Sequence, residues 1–123
     1  MKRKTNQRDA IRKVLTDSGR PLDAQEVLAQ AQGILPKLGI ATVYRNLNAL
    51  VNEGFLQTVE LPSAPVRYEL AELPHHHHFV CNDCERVLDI DGCPGNLTNL
   101  LPKGFQADHH VITFYGTCAG CVS

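Results

Sequence analysis

Two Cys-x2-Cys pairs constrain this chain more than any other feature. Cys81 and Cys84 bracket Asn82-Asp83, Cys118 and Cys121 bracket Ala119-Gly120, and 33 residues separate the pairs. Each pair sets two thiols on one tight turn, and two such turns brought together offer four sulfurs to a tetrahedral zinc ion. Two disulfides are the competing reading. The basic, polar residues 1–8 and the shortness of every apolar run predict a cytoplasmic protein with neither signal peptide nor spanning helix. Thiols stay reduced in that compartment, which favours zinc. With four protein ligands there is no open position for water, so the zinc is expected to be structural. Cys93 stands outside both pairs and is read as an inert thiol.

At 123 residues the chain has room for one ordinary domain or two very small ones. The net charge of −1 conceals a division at Leu70. Residues 1–70 hold ten Lys and Arg against seven Asp and Glu, whereas 71–123 hold two against six, together with all six His and all five Cys. A basic half that meets a polyanion, followed by a half built on metal or thiol chemistry, is the arrangement this implies.

Apolar spacing predicts three helices in the basic half. The first covers residues 5–18 on Ala10, Ile11, Val14 and Leu15, and ends at Gly19. Asp23 and Glu26 form a capping box for the second, whose apolar face is Ala24, Val27, Leu28 and Ala31. A third buries Val43, Leu47, Leu50 and Val51 and closes at Gly54. Strands over 55–60 and 66–70 flank a Pro-rich turn, and three helices followed by a hairpin suggest a winged helix. Beyond a linker at 71–74, strands are expected over 75–81, 87–90 and 105–115, with a short helix in 94–101. The fold class is therefore α+β, with domains over 1–72 and 73–123.

His75, His76, His77 and His78 run directly into Phe79-Val80-Cys81. In an extended chain alternate side chains face opposite ways, so His75 and His77 form one pair and His76 and His78 another. One run then serves two sites. Further ligands are available from Glu69, Asp89, His109 and His110, and mixed imidazole and carboxylate donors suit Fe2+, Mn2+, Zn2+ or Ni2+.

In a winged helix the third helix enters the major groove. Its exposed side here carries Thr42, Tyr44, Arg45, Asn46 and Asn48, which reach base edges or phosphates. Lys2, Arg3, Lys4, Arg8, Arg12 and Lys13 add charge for the DNA backbone. One small domain makes few contacts, so useful affinity implies a homodimer reading two half-sites of an operator.

Four segments in this order, TNQRDAI (5–11), ATVYRNL (41–47), HHHHFVCNDC (75–84) and HHVITFYGTCAGC (109–121), give the chain its likeness to a known family. It resembles the ferric uptake regulator (Fur) family of bacterial metal-dependent repressors over nearly its whole length. The resemblance implies a winged helix-turn-helix domain followed by a small α/β dimerisation domain with a four-cysteine zinc site. By position, Cys81, Cys84, Cys118 and Cys121 hold the structural zinc. Glu69, His76 and His78 form the regulatory site, with Asp89 as the carboxylate used in the peroxide-sensing branch. His75, His77 and His110 form a second site, and Tyr44 and Arg45 take the DNA-contacting positions. Two departures stand out: Arg20 where the iron and peroxide branches usually carry a His, and His77 where the usual residue is Asp.

The expected function is a metal-responsive repressor that binds a palindromic operator as a homodimer when Zn2+, Mn2+ or Fe2+ fills the regulatory site. A zinc-stabilised regulator that is constitutive or peroxide-responsive is the alternative. A zinc hydrolase would want a general base in a motif such as H-E-x-x-H or H-x-E, and neither occurs. No enzyme activity, membrane partner or small organic substrate is expected.

Overall fold

The computed structural model describes residues 6–73, 76–92 and 97–122. The chain divides into two compact units, Met1–Leu73 and Pro74–Ser123.

In the first unit α1 spans Gln7–Ser18, β1 Leu22–Asp23, α2 Ala24–Ala31, α3 Ile40–Asn52, β2 Leu56–Val59 and β3 Arg67–Leu70. Asn6 caps α1 by accepting from the Asp9 N–H at 2.8 Å, so the helix starts two residues later than its apolar spacing suggests. Gly19 ends α1 with φ of +69°, a left-handed turn that a residue with a Cβ adopts only at a cost. The capping box of α2 is complete, with Glu26 N–H donating to Asp23 Oδ1 at 2.8 Å and Asp23 N–H to Glu26 Oε1 at 3.0 Å. The three helices close over one core that includes Ile11, Leu15, Val27, Val43, Leu47 and Leu50. Burying a Leu or Ile of this kind contributes about 1.5–3 kcal/mol, enough for a small helical unit to stand on these side chains.

The hairpin β2–β3 pairs antiparallel with Gln57 opposite Glu69 and Thr58 opposite Tyr68. Composition did not reveal β1, which adds Leu22 and Asp23 to the far side of β3 and makes a three-stranded sheet in the order β1-β3-β2. Two residues are too few for a periodic signal, and their place is fixed by α2 starting immediately afterwards. The winged arrangement of helices and hairpin stands as expected.

The second unit holds β4 (His76–Cys81), β5 (Val87–Asp91) and β6 (Thr113–Gly116), in the order β5-β4-β6. β5 runs antiparallel to β4, and β6 runs parallel to it. The long strand expected over 105–115 is corrected to four residues. Phe105 follows a turn at Pro102, and the polar Asp108-His109-His110 stretch stays outside the ladder until Ile112 reaches β4. Of the helix expected in 94–101, residues 94–96 lie outside the described residues, and Thr98–Leu100 form a single 3-10 turn.

Buried side chains are scarce in this unit. Among the described residues, Cys81, Val87 and His77 are the buried ones, while Phe114 and Tyr115 on β6 are more than half exposed. So small an apolar interior calls for a further source of stability, such as a metal.

Candidate metal centres and nucleic-acid face

The β4–β5 hairpin builds the first cysteine turn. Cys81 ends β4, Glu85 turns the chain with φ of +64°, and the Cys81 N–H donates to the Arg86 carbonyl at 3.0 Å as β5 begins. The second turn follows β6, where the Cys121 N–H donates to the Cys118 carbonyl at 2.9 Å. Parallel pairing sets Cys81 beside Gly116, so the two turns meet at one end of the sheet.

All four Sγ atoms lie within 4.8 Å of one another, and those of Cys84 and Cys118 are 3.8 Å apart. A tetrahedron with zinc–sulfur bonds of about 2.3 Å has edges of roughly 3.8 Å, so the donor set fits zinc. The backbone N–H groups of Cys84 and Cys118 each donate to Cys81 Sγ at 3.4 Å. These bonds, that of Cys84 foremost, hold the Cys81 thiol down to about 6. Hydrogen bonding to the Cys118 and Cys81 side chains instead pushes Cys121 up to about 12. The crowded thiols thus share protons unevenly, which is the condition a dication relieves.

On β4 the histidines separate as the strand pleat requires. His78 lies opposite Asp89 of β5, and His76 lies two residues along on the same face. The Nε2 atoms of both stand 3.4 Å from Asp89 Oδ1, with the two rings edge to face at 4.8 Å. Two imidazole nitrogens and a carboxylate oxygen at this spacing suit one divalent ion with bonds of about 2.0–2.2 Å. Each side chain is less than one-fifth exposed, so the site is sheltered from water.

His77 points the other way and stacks on His110 with ring centroids 5.1 Å apart. Its Nδ1 accepts from the Ile112 N–H at 3.3 Å, and the Ile112 carbonyl accepts from the His78 N–H at 3.2 Å. A neutral ring that accepts at Nδ1 carries its proton on Nε2. Holding a cation at His77 therefore requires the ring to give up Ile112. His75, the third member of that expected site, lies outside the described residues, as do Cys93 and Lys4.

In the first unit Glu69 is 4 % exposed on β3, and Gln57 Nε2 donates to its Oε2 at 2.7 Å. Gln57 escaped the sequence reading because cross-strand register depends on turn geometry, which the Pro-rich 61–65 segment does not reveal. Arg20, the departure noted above, donates through Nη2 to Glu26 Oε2 at 2.8 Å and through Nη1 to the Pro21 carbonyl at 3.2 Å.

The outer face of α3 carries exposed Tyr44 and Arg45, with Thr42 and Asn46 half-buried beside them. Arg45 Nη2 donates to Thr42 Oγ1 at 3.2 Å, and Asn46 Nδ2 to the Thr42 carbonyl at 2.9 Å. The described cations of α1 have internal partners instead: Arg8 pairs with Glu53, Arg12 lies over the Phe55 ring at 4.4 Å, and Lys13 pairs with Asp17 at 2.9 Å. Among the described residues, no helix is long and apolar enough to cross a membrane.

A sequence profile described as the ferric uptake regulator family matches residues 2–115. The chain is similar to the ferric uptake regulation protein of Campylobacter jejuni, with 32 % identity over 95 % of this chain and 78 % of that protein. It is also similar to the peroxide operon regulator of Bacillus subtilis, with 29 % identity over 95 % of this chain and 82 % of that one. Its fold matches the solved ferric uptake regulator of Helicobacter pylori, described as having three functional metal-binding sites, with a TM-score of 0.76 and 28 % identity over 97 % of this chain and 81 % of that one.

Proposed function

The chain belongs to the ferric uptake regulator family of metal-responsive transcriptional regulators, and on that premise we propose that it is a cytoplasmic repressor binding a palindromic DNA operator as a homodimer when its regulatory metal is bound. The single observation that carries the reading is the placement of His76 and His78 Nε2, each 3.4 Å from Asp89 Oδ1 on a sheltered sheet face.

Cys81, Cys84, Cys118 and Cys121 hold structural Zn2+ in this proposal. His76, His78 and Asp89 hold a second divalent ion, Zn2+, Mn2+ or Fe2+, and Glu69 of the wing supplies a further ligand. Glu69 lies six positions before His75, and a cation bonded on both sides of so short a tether restricts how the recognition helices of a dimer are spaced. An apo dimer samples many spacings, and only the fraction that matches the two half-sites binds tightly. A tenfold gain in operator affinity needs about 1.4 kcal/mol of coupling, within reach of a few coordinate bonds. The second site at His75, His77 and His110 would fill only after His77 releases the Ile112 N–H.

Phe114 and Tyr115 on an edge strand, with Val111 and Val122 exposed nearby in sequence, support self-association of the second unit. The surface of α3 formed by Thr42, Tyr44, Arg45 and Asn46 reads the DNA, with phosphate contacts assigned to Lys4 and to Arg8, which would exchange its ion pair with Glu53 for the DNA backbone. A second reading, a constitutive regulator, draws on Arg20, whose pairing with Glu26 puts a fixed cation where a ligand is expected.

The test is operator binding by protein with its structural zinc retained, titrated anaerobically with Fe2+, Mn2+ and Zn2+ at fixed salt. Affinity rising at least tenfold with one metal, and losing that response in His76→Ala with the fold intact, is the expected result. Equal binding with every metal and with chelator would establish the constitutive reading instead.

A further inference from the structure

Glu69 is a buried carboxylate on the central strand of the wing, and its cross-strand partner Gln57 donates to Oε2 at 2.7 Å. A buried carboxylate is costly unless hydrogen-bonded, and the chemical type of the donor decides what the carboxylate can still do. A lysine or arginine at position 57 would neutralise it and compete with any dication. The neutral amide of Gln57 fixes the carboxylate plane and leaves its negative charge in place. Donors of this kind, one shell outside a ligand, orient the ligand and tune its metal.

We propose that Gln57 is a positioning residue for the regulatory metal, orienting the Glu69 carboxylate through Oε2 for its role as a ligand. The inference rests on the reading of Glu69 as a ligand. Gln57 itself touches no metal and acts through Glu69 alone. Its place in the register is essential: Leu56 and Thr58, its neighbours on β2, pair with Leu70 and Tyr68 and cannot substitute for it.

The experiment uses full-length protein with structural zinc retained and Co2+ as the probe, read by its visible absorption and by competition for free Co2+. Gln57→Met keeps the length of the side chain and removes the donor. It is expected to weaken Co2+ binding by roughly tenfold and to alter the absorption of the bound ion. Gln57→Lys, which sets a fixed charge against Glu69, is expected to weaken binding further. In a Glu69→Gln background, Gln57→Met should have no additional effect, because the two residues act as one unit.

Wild-type affinity and spectrum in Gln57→Met, alongside weakened binding in Glu69→Gln, would overturn the positioning role. So would an undiminished loss when the two substitutions are combined. If Glu69→Gln alone leaves Co2+ binding unchanged, the regulatory-site reading itself fails and takes the role of Gln57 with it. A thermal melt of each variant separates loss of fold from loss of metal. Should Gln57→Met fail to fold, Gln57→Lys with wild-type Co2+ affinity still overturns the proposal.

Discussion

Arg20 and Glu26 form a partly buried ion pair, Nη2 to Oε2 at 2.8 Å, through the same carboxylate whose other oxygen closes the capping box of α2. One glutamate therefore ties the α1–α2 turn to the start of the second helix. The pair also explains how a cation is accommodated where the family resemblance places a histidine.

Truncating Arg20 should accordingly be a matter of stability. Arg20→Ala is expected to cost about 1 kcal/mol or less, a drop of a few degrees in melting temperature, because the pair is only partly shielded from solvent. Regulatory-metal affinity should stay within about threefold of wild type, since the guanidinium is committed to Glu26 and the Pro21 carbonyl. Calorimetric metal titration beside a thermal melt checks both. A larger change in metal affinity would mean that the charge of Arg20 acts on the metal site.

Arg45 is the described cation best placed on the α3 surface, because Arg8, Arg12 and Lys13 each have partners within the first unit. Arg45→Ala should leave the melting temperature unchanged and weaken operator binding by about 1–3 kcal/mol, more than it weakens binding to unrelated DNA. Fluorescence anisotropy on both DNAs at one salt concentration makes the comparison. Equal losses on the two would place Arg45 on phosphate.

The three helices were legible because Ile11, Val14, Val43 and Leu47 recur with a helical period and face one core, and because Asp23 and Glu26 are a local signal that needs no tertiary context. The two-sided use of the histidine run was legible for a similar reason: the period of a strand sends His76 and His78 one way and His77 the other. What escaped depends on long-range register. Nothing near Gln57 announces Glu69 twelve residues away, and nothing near Ile112 announces that its N–H will meet His77. The overlong strand at 105–115 has the same origin. Its apolar residues Phe105, Val111, Phe114 and Tyr115 read as strand-forming, yet they are exposed, and a ladder partner is present only from Thr113 onward.

His77 carries a prediction that separates the two faces of β4. Its buried ring stacks on His110 and accepts from Ile112, so His77→Ala removes packing and leaves a backbone N–H without its partner. A loss of about 1–3 kcal/mol is expected from the unsatisfied donor alone. The thermal melt of the zinc-loaded protein should record it, whereas His76→Ala should leave that melt nearly unchanged. The reverse order would show that the Asp89 face, and not the His77 face, stabilises the second unit.

The four-cysteine group predicts how the second unit responds to acid. Zinc binds thiolates, so every thiol that holds a proton must release it, and affinity falls as pH falls. Cys81 is held down to about 6 by the N–H groups of Cys84 and Cys118, and remains a thiolate above that pH; Cys121, pushed up to about 12, must surrender a proton to zinc throughout the neutral range. Apparent zinc affinity should therefore rise with pH through neutrality and fall more steeply below about 6, where protons compete for Cys81 as well. Competition with a chromophoric chelator between pH 5 and 8 measures the slope. Because so few of the described side chains in this unit are buried, loss of zinc should coincide with loss of its circular dichroism, and Cys84→Ser should reproduce that loss at neutral pH. A folded, dimeric, zinc-free Cys84→Ser protein would rule out a structural role for the metal.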